Sequence, residues 1–324
     1  MVMSRRTLFK SASLAGLALS APQIMTRAAH AATPMAGTMP GAFSRFKLGA
    51  FEVTVLNDGG RAGDKPWETF GTNVGQADVE ALLTANLLPA DKFRNSFSPT
   101  LVNTGTDLVL FDTGLGASAR EGGMGQTLAA LQASGYTADQ VTIVVLTHMH
   151  GDHIGGLMEN GAPAFPNARY VTNEAEFNFW SSPDRIGTPA ENGHKGVLAN
   201  VVPLKEKMAF IGDNGEVVTG ISGMAAFGHS PGHMIYRLQS EGKGLVITAD
   251  TANHFVLSLQ RPEWEVRFDM DKAAAAASRK TVFDMISTDR LPFIGYHMPF
   301  PAVGYVEKMD VGYRWVPETY QLDI

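Results

Sequence analysis

Residues 147–153 read Thr147-His148-Met149-His150-Gly151-Asp152-His153 and follow directly on a strand-length apolar run at 141–146. A run of that length and composition predicts a strand buried on both faces, so the imidazoles emerge where a strand leaves the core. In an extended segment, residues i and i+2 project to the same side, which places His148 and His150 together as two donors for one ion. Gly151 lets the chain bend, and Asp152 and His153 can then turn toward a second ion nearby. The chain contains no cysteine. That excludes disulfide scaffolds, Cys nucleophiles, iron–sulfur clusters and thiolate zinc sites. The donors left are nitrogen and oxygen, a set suited to zinc and also to manganese, cobalt or iron.

Three more ligand-type residues lie downstream, each at an expected strand end. His233 closes Gly228-His229-Ser230-Pro231-Gly232-His233, Asp250 follows the strand at 245–248, and His297 follows Ile294-Gly295-Tyr296. A lone histidine is more often an ordinary core or surface residue. Taken with the 148–153 string, however, these three complete the ligands that two ions need. Five of the nine histidines fall in this set.

The rest of the chain predicts packed sheets with helices outside rather than a strict strand–helix alternation. Phe51–Leu56 is β-branched and alternating, and a turn at Asn57-Asp58-Gly59-Gly60 closes it. Thr100–Asn103 and Leu108–Phe111 flank a hairpin turn, and 236–238 with 245–248 form a second hairpin. Helices are expected over 126–134 and over 271–287, with short strands at 294–296 and 313–316. The stretches 57–98 and 158–200 carry little periodicity and read as long irregular loops, the kind that line binding sites.

The first 31 residues have the character of an address. Arg5-Arg6 and Lys10 precede a short, weakly apolar run, and Ala29-His30-Ala31 supplies a small-residue cleavage pattern. Paired arginines before a modest apolar run resemble a twin-arginine signal, which implies export of the folded protein to the periplasm or beyond. Residues 32–45 read as a flexible leader and 46–324 as one domain. The net charge of −6 includes +4 from residues 1–31, so the remainder carries −10. An acidic domain without a basic patch is unsuited to nucleic acid and fits a small apolar or weakly polar substrate. No run is apolar enough for stable membrane insertion.

The 148–153 string, together with Leu108-Val109-Leu110-Phe111-Asp112-Thr113-Gly114, resembles the metallo-β-lactamase superfamily. The resemblance runs over about 51–320. It implies a mixed α/β (α+β) fold, a four-layer αββα sandwich with the metal cleft at one sheet edge. Carried over residue by residue, it implies that His148, His150 and His233 hold one ion and that Asp152, His153 and His297 hold the other. Asp250 would bridge the two opposite a bridging hydroxide, and Asp112 would stand behind the ligands; His229, at the start of its turn, reads separately as a residue behind the ligands or a structural one. Asp250 argues against the β-lactam-cleaving members. The C-terminal Gly295-Tyr296-His297-Met298-Pro299-Phe300-Pro301 and Gly312-Tyr313-Arg314-Trp315-Val316-Pro317 look most like the methyl parathion hydrolase group. The implied activity is a dinuclear, zinc-type hydrolysis of organophosphate triesters. The alternatives are a quorum-quenching acyl-homoserine lactonase or an aryl esterase, or, in a different class, a non-catalytic metal-binding protein.

Asp250 and Asp152 are the expected catalytic carboxylates, and no tyrosine is assigned as a general acid. Trp180, Phe179, Phe97 and His254 are expected to bind substrate, with Phe93 and Phe177 as further aromatic candidates. Asp58 reads as a turn residue. The resembled family also suggests a homodimer.

Overall fold

The structure, a computed structural model, describes residues 40–319. The address read at 1–31 and most of the leader lie outside the described residues. Two seven-stranded sheets form the frame. The first runs, in spatial order, Phe43–Leu48, Phe51–Leu56, Thr100–Asn103, Leu108–Phe111, Ile143–Val145, Arg169–Thr172 and Met208–Phe210. Its first four strands are antiparallel and its last three join in parallel. The second runs Glu216–Val218, Ile221–Ala225, Met234–Ser240, Lys243–Ala249, Phe293–Gly295, Val303–Lys308 and Tyr313–Pro317. Only its Lys243–Ala249/Phe293–Gly295 pair is parallel.

The two-residue period of a strand sorts the first sheet's side chains between two cores. Val53, Val55, Val102, Val109, Phe111, Ile143, Val145 and Val171 face the second sheet's Met234, Tyr236, Leu238 and Ile247 in one apolar cluster. Their neighbours Leu101, Leu110, Val144 and Tyr170 point the other way. There they meet Leu131 of helix Thr127–Ala133, Phe177 and Trp180 of helix Glu174–Ser181, and Val197 of helix Glu191–Asn200. The second sheet is covered in turn by Val282, Phe283 and Ile286 of helix Lys272–Asp289. Helix, sheet, sheet and helix thus give the expected αββα layering. The run at 141–146 is uniformly apolar because both of its faces are covered.

Both predicted hairpins form. Thr100 pairs with Phe111 across the first, and the second closes through Glu241 and Gly242, both at positive φ as a two-residue turn of that hand requires. The long helix is capped by Asp271, whose side chain accepts from Ala274 N.

Three expectations need correction. The sheet begins at Phe43, inside the stretch read as leader, because Arg45 is anchored by bonds to Thr54 Oγ1 and the Ser134 carbonyl. The stretch 57–98 is not a loop. It holds the hairpin Gly59–Asp64/Lys92–Phe97 and helix Gln76–Ala85. Likewise 158–200 holds strand Arg169–Thr172 and helices Glu174–Ser181 and Glu191–Asn200. Strand Gly59–Asp64 is half glycine and acquires its conformation from its partner's backbone, so no side-chain period announces it. No helix among the described residues is long and apolar enough to cross a membrane.

Candidate metal centre and cavity

The two sheets approach each other where strand Ile143–Val145 ends, and Met234 N donates to the Thr147 carbonyl there at 2.9 Å. The ligand-type residues gather at this edge. His148 and His150 lie in the extended segment after the strand, and Asp152 and His153 lie on the single helical turn Gly151–Ile154. Asp250 follows Lys243–Ala249, and His297 follows Phe293–Gly295.

One group is formed by His148, His150 and His229. His150 Nδ1 lies 3.0 Å from His148 Nε2 and 2.9 Å from His229 Nε2. The second group is Asp152, His153 and His297, with Asp152 Oδ2 3.5 Å from Nε2 of each histidine. Asp250 stands between the two. Its Oδ1 is 3.2 Å from His153 Nε2, and its Oδ2 is 3.3 Å from His229 Nε2 and 3.1 Å from His297 Nε2.

This donor set fits two divalent ions. Three imidazole nitrogens converge on one point, where a proton on any one of them can serve only one neighbour. His153 Nε2 and Asp250 Oδ1 are buried without a hydrogen bond. A buried polar group left in that state is costly unless something not yet counted pairs with it. Burial, reinforced by the neighbouring imidazoles, holds His148 and His150 well below the usual histidine range, which is the neutral form that coordinates. Burial opposes charge on Asp250, but His297, His153 and His229 around it hold its carboxyl well below the usual range. His153 is also buried, yet Asp250, Asp152 and Asp112 hold it well above its ordinary value. The acidic half of the site therefore calls for a positive charge.

The rings of His153, His297 and His229 are each oriented from behind, as metal-binding histidines generally are. Asp112 accepts from His153 Nδ1 at 2.8 Å and from Thr147 N and Oγ1 at 2.9 and 2.8 Å. The His297 Nδ1 partner is the Ser96 carbonyl at 2.9 Å, and the His229 Nδ1 partner is Asp269 Oδ1 at 2.9 Å.

The assignment within Gly228-His229-Ser230-Pro231-Gly232-His233 is the reverse of the one expected. His229, read from sequence as standing behind the ligands, offers Nε2 to the three-histidine group. His233, read as a ligand, has both ring nitrogens engaged: Nδ1 with the Ala226 carbonyl at 3.0 Å and Nε2 as acceptor from Asp250 N at 3.1 Å. It is tied to the backbone beneath Asp250, and burial lowers its pKa to about 3. Sequence offered two histidines four residues apart, and only the direction of the loop distinguishes them.

A cavity of about 900 Å3 opens onto the site, with His150, Asp152, Asp250 and His297 in its lining. Phe93 and Phe97 of the outer hairpin, Leu115, Met124 and Phe268 form apolar wall. Asp58 is no mere turn residue. Fully buried, it accepts from Leu115 N, Gly125 N, Thr127 N and Thr127 Oγ1, and so folds the wall segment 115–125.

Of the expected substrate contacts, Phe97 lines the cavity, and Phe179, Trp180 and His254 do not. Trp180 is buried in the outer core, its indole N–H donating to Glu176 Oε1 at 2.8 Å and its ring edge-on to His150. Phe179 packs on Trp180 and under Arg185, and Phe177 sits in the same outer core. His254 is buried between Phe70 and Phe255, and its Nδ1 accepts from Val256 N and Leu257 N. Tyr296 has its hydroxyl on the Asp152 carbonyl at 2.5 Å and its ring against His153. Among the described residues no tyrosine lines the cavity.

Sequence reasoning passed over Glu176, Asp269 and Arg279, all buried. A signal existed for the first. Glu176 precedes Trp180 by four residues, which on a helix places the carboxylate on the buried aromatic face.

Comparison with known proteins agrees with this geometry. A family model for the metallo-beta-lactamase superfamily matches residues 98–287. The N-acyl homoserine lactonase of Bacillus cereus is 27% identical over 168 residues, 51% of this chain and 60% of that protein. The N-acyl homoserine lactonase of Bacillus thuringiensis subsp. kurstaki is 26% identical over the same shares. The chain thus spans about 60% of the length of these relatives. Among solved structures, AidC, a dizinc quorum-quenching lactonase in complex with a product N-hexanoyl-L-homoserine, has a TM-score of 0.78 at 26% identity. That match covers 86% of this chain and 98% of the other. A hydrolase of the beta lactamase superfamily, AbOPH, has a TM-score of 0.79 at 25% identity, covering 88% and 100%.

Proposed function

The chain belongs to the metallo-beta-lactamase superfamily, and on that premise we propose that it is a dinuclear-metal hydrolase acting on lactones of the N-acyl homoserine type. The carrying observation is the pairing of a complete seven-residue donor set with an apolar-walled cavity opening directly onto it. Relatives that act on such lactones support this substrate over the phosphotriester favoured from the C-terminal motifs. Zinc is the ion proposed, on the nitrogen and oxygen donors here and on the dizinc neighbour.

His148, His150 and His229 would hold one ion, Asp152, His153 and His297 the other, and Asp250 both. When bound, the pair supplies Lewis acidity and a water acidic enough to act as hydroxide at neutral pH. The protein's own part is positional. Asp112, Asp269 and the Ser96 carbonyl fix the ring directions, and Asp250 holds negative charge at the centre of the site. Phe93, Phe97, Met124 and Phe268 exclude water from the acyl chain. Opening the ring adds water across the acyl carbon–oxygen bond, and the departing alkoxide must take up a proton. Tyr296 is committed to the Asp152 carbonyl, so the proton is assigned to Asp152, which of the two ligand carboxylates at the cavity is the one that retains solvent exposure, 22% against 4% for Asp250.

The test compares kcat/KM for N-hexanoyl-homoserine lactone and for a nitrophenyl phosphotriester on one metal-loaded preparation, with Asp250→Asn beside it. A lactone preference that disappears in the variant is expected. Triester turnover with only background lactone opening would return the assignment to the phosphotriesterase reading.

Export by the twin-arginine route belongs to the same proposal. Replacing Arg5 and Arg6 by lysine should retain the protein in the cytoplasm, and unchanged export would remove it. The homodimer rests on resemblance alone and is checked by sedimentation.

A further inference from the structure

We infer that Glu176 is a positioning residue that locks the two loops carrying the three-histidine ligands into one register. The inference deepens the two-ion reading above and rests on it. Glu176 lies on helix Glu174–Ser181, in the outer layer, and neither it nor any of the four groups that donate to its carboxylate belongs to the cavity lining. Its side chain is fully buried, and four donors converge on its two oxygens. Oε1 accepts from Met149 N at 2.9 Å and from Trp180 Nε1 at 2.8 Å. Oε2 accepts from Ser230 Oγ at 2.8 Å and from Gly232 N at 2.7 Å.

The identity of these donors carries the argument. Met149 is the residue between His148 and His150, and Ser230 and Gly232 lie between His229 and His233. One carboxylate therefore grips, from behind, both loops whose histidine nitrogens meet within 3.0 Å. Trp180 adds a third grip, because the indole that donates to Oε1 also sets its edge against the His150 ring, 5.6 Å between centroids. The packing has been shaped around this contact. A Cβ at Gly232 would lie 2.5 Å from the Glu176 amide nitrogen, so only glycine lets the second loop approach the helix this closely.

Burying a carboxylate without a cation is costly. A purely structural need for an acceptor at two separate loops could be met by neutral groups. A single carboxylate is the side chain that offers acceptors on both sides with no donor of its own. An amide cannot replace it. Glutamine would turn its NH2 toward one pair of donors, where Ser230 Oγ can reorient to accept but Gly232 N and Met149 N cannot. Glu176→Gln therefore detaches one loop from the other while leaving the helix, the volume and all seven ligand side chains in place.

The test uses the full chain loaded with cobalt and challenged with increasing chelator, the two equivalents being followed by their visible spectra. His297→Ala, which removes a ligand of the other site, assigns the bands. In Glu176→Gln the three-histidine equivalent should leave at about 10–100-fold lower chelator, the range typical for loss of a partner behind the ligands. Its bands should shift, while those of the Asp152, His153 and His297 equivalent stay as in wild type. Wild-type release curves and spectra in Glu176→Gln overturn the inference. So does equal weakening of both equivalents with a matching fall in the Tm of the metal-free protein, which marks general damage to the fold.

Ser230→Ala and Trp180→Phe each delete one of the four bonds without leaving a charge unpaired, and they decide the matter if Glu176→Gln does not fold. Both should weaken the same equivalent by a smaller factor, and unchanged affinity in both overturns the inference. A wild-type chain that takes up no cobalt overturns the two-ion reading itself, an outcome distinct from the others.

Discussion

His229 presents Nε2 to the candidate metal centre because its Nδ1–H donates to Asp269 Oδ1 at 2.9 Å, and Asp269 is in turn held through its other oxygen by the buried Arg279 at 2.8 Å. Burial opposes charge on Asp269, but bonding to His229 and Arg279 keeps its carboxyl below the usual range. Asp269→Asn should therefore lower affinity at the three-histidine site about 10–100-fold, since a neutral amide neither enforces the tautomer nor raises the basicity of the ring. Isothermal titration with zinc checks this, and an unchanged affinity would remove Asp269 from the centre.

Arg279 sits at 1% exposure and also donates to the Thr251 and Pro262 carbonyls. Arg279→Leu takes from Asp269 its guanidinium partner, leaving it the His229 bond, and removes the donor to the Thr251, Pro262 and Trp264 carbonyls. Breaking a buried pair from one side costs about 3–5 kcal/mol. Urea unfolding should show a loss of that size. A loss below 1 kcal/mol would mean that water reaches the vacated space.

The two histidines of the 228–233 turn should separate cleanly by metal content. His229→Ala is expected to retain one ion per chain after dialysis. His233→Gln should retain two, because glutamine can both donate to the Ala226 carbonyl and accept from Asp250 N. Elemental analysis of the two variants decides it, and the reverse pattern would restore His233 as the ligand.

His254 is buried neutral, and burial pushes its pKa down to about 3. In the unfolded chain it titrates near 6.5. Below that value the unfolded state binds the proton that the folded state refuses, so stability falls as pH drops from about 6.5 toward 3. His254→Asn keeps an acceptor for Val256 N and Leu257 N but removes the titration. Its stability should be lower than wild type at pH 8 through lost ring packing, yet should decline less steeply between pH 6.5 and 4. The pH-dependent loss from pH 8 to pH 4 should be about 3 kcal/mol larger in wild type than in the variant. Equal slopes in the two proteins would show that His254 is protonated in the folded state.

Phe268 is 40% exposed at the cavity wall. Phe268→Ala should raise KM for a decanoyl lactone by several-fold and leave a butanoyl lactone nearly unaffected, at about 0.8 kcal/mol for each methylene that loses its cover. An equal change for both chain lengths would place the acyl chain elsewhere.

What could be read directly from the chain was whatever covalent neighbours decide. The buried strand and the 148–153 string were legible because strand period and i, i+2 spacing act within a few residues, and so were both hairpins and the helix capped by Asp271. Asp250 and His297 were legible as residues at strand ends. Tertiary structure alone decided which histidine of the 228–233 turn is a donor, since that depends on Asp269 and Ala226 and on how closely the loop meets Glu176. It also decided the cavity wall, which comes from a glycine-rich hairpin, a segment folded around Asp58, and Phe268. The physical reason is the same in both cases. A ring nitrogen's direction and a wall's position are set by hydrogen-bond partners as far as 201 residues away, the separation of His297 from Ser96, and no local period carries that information.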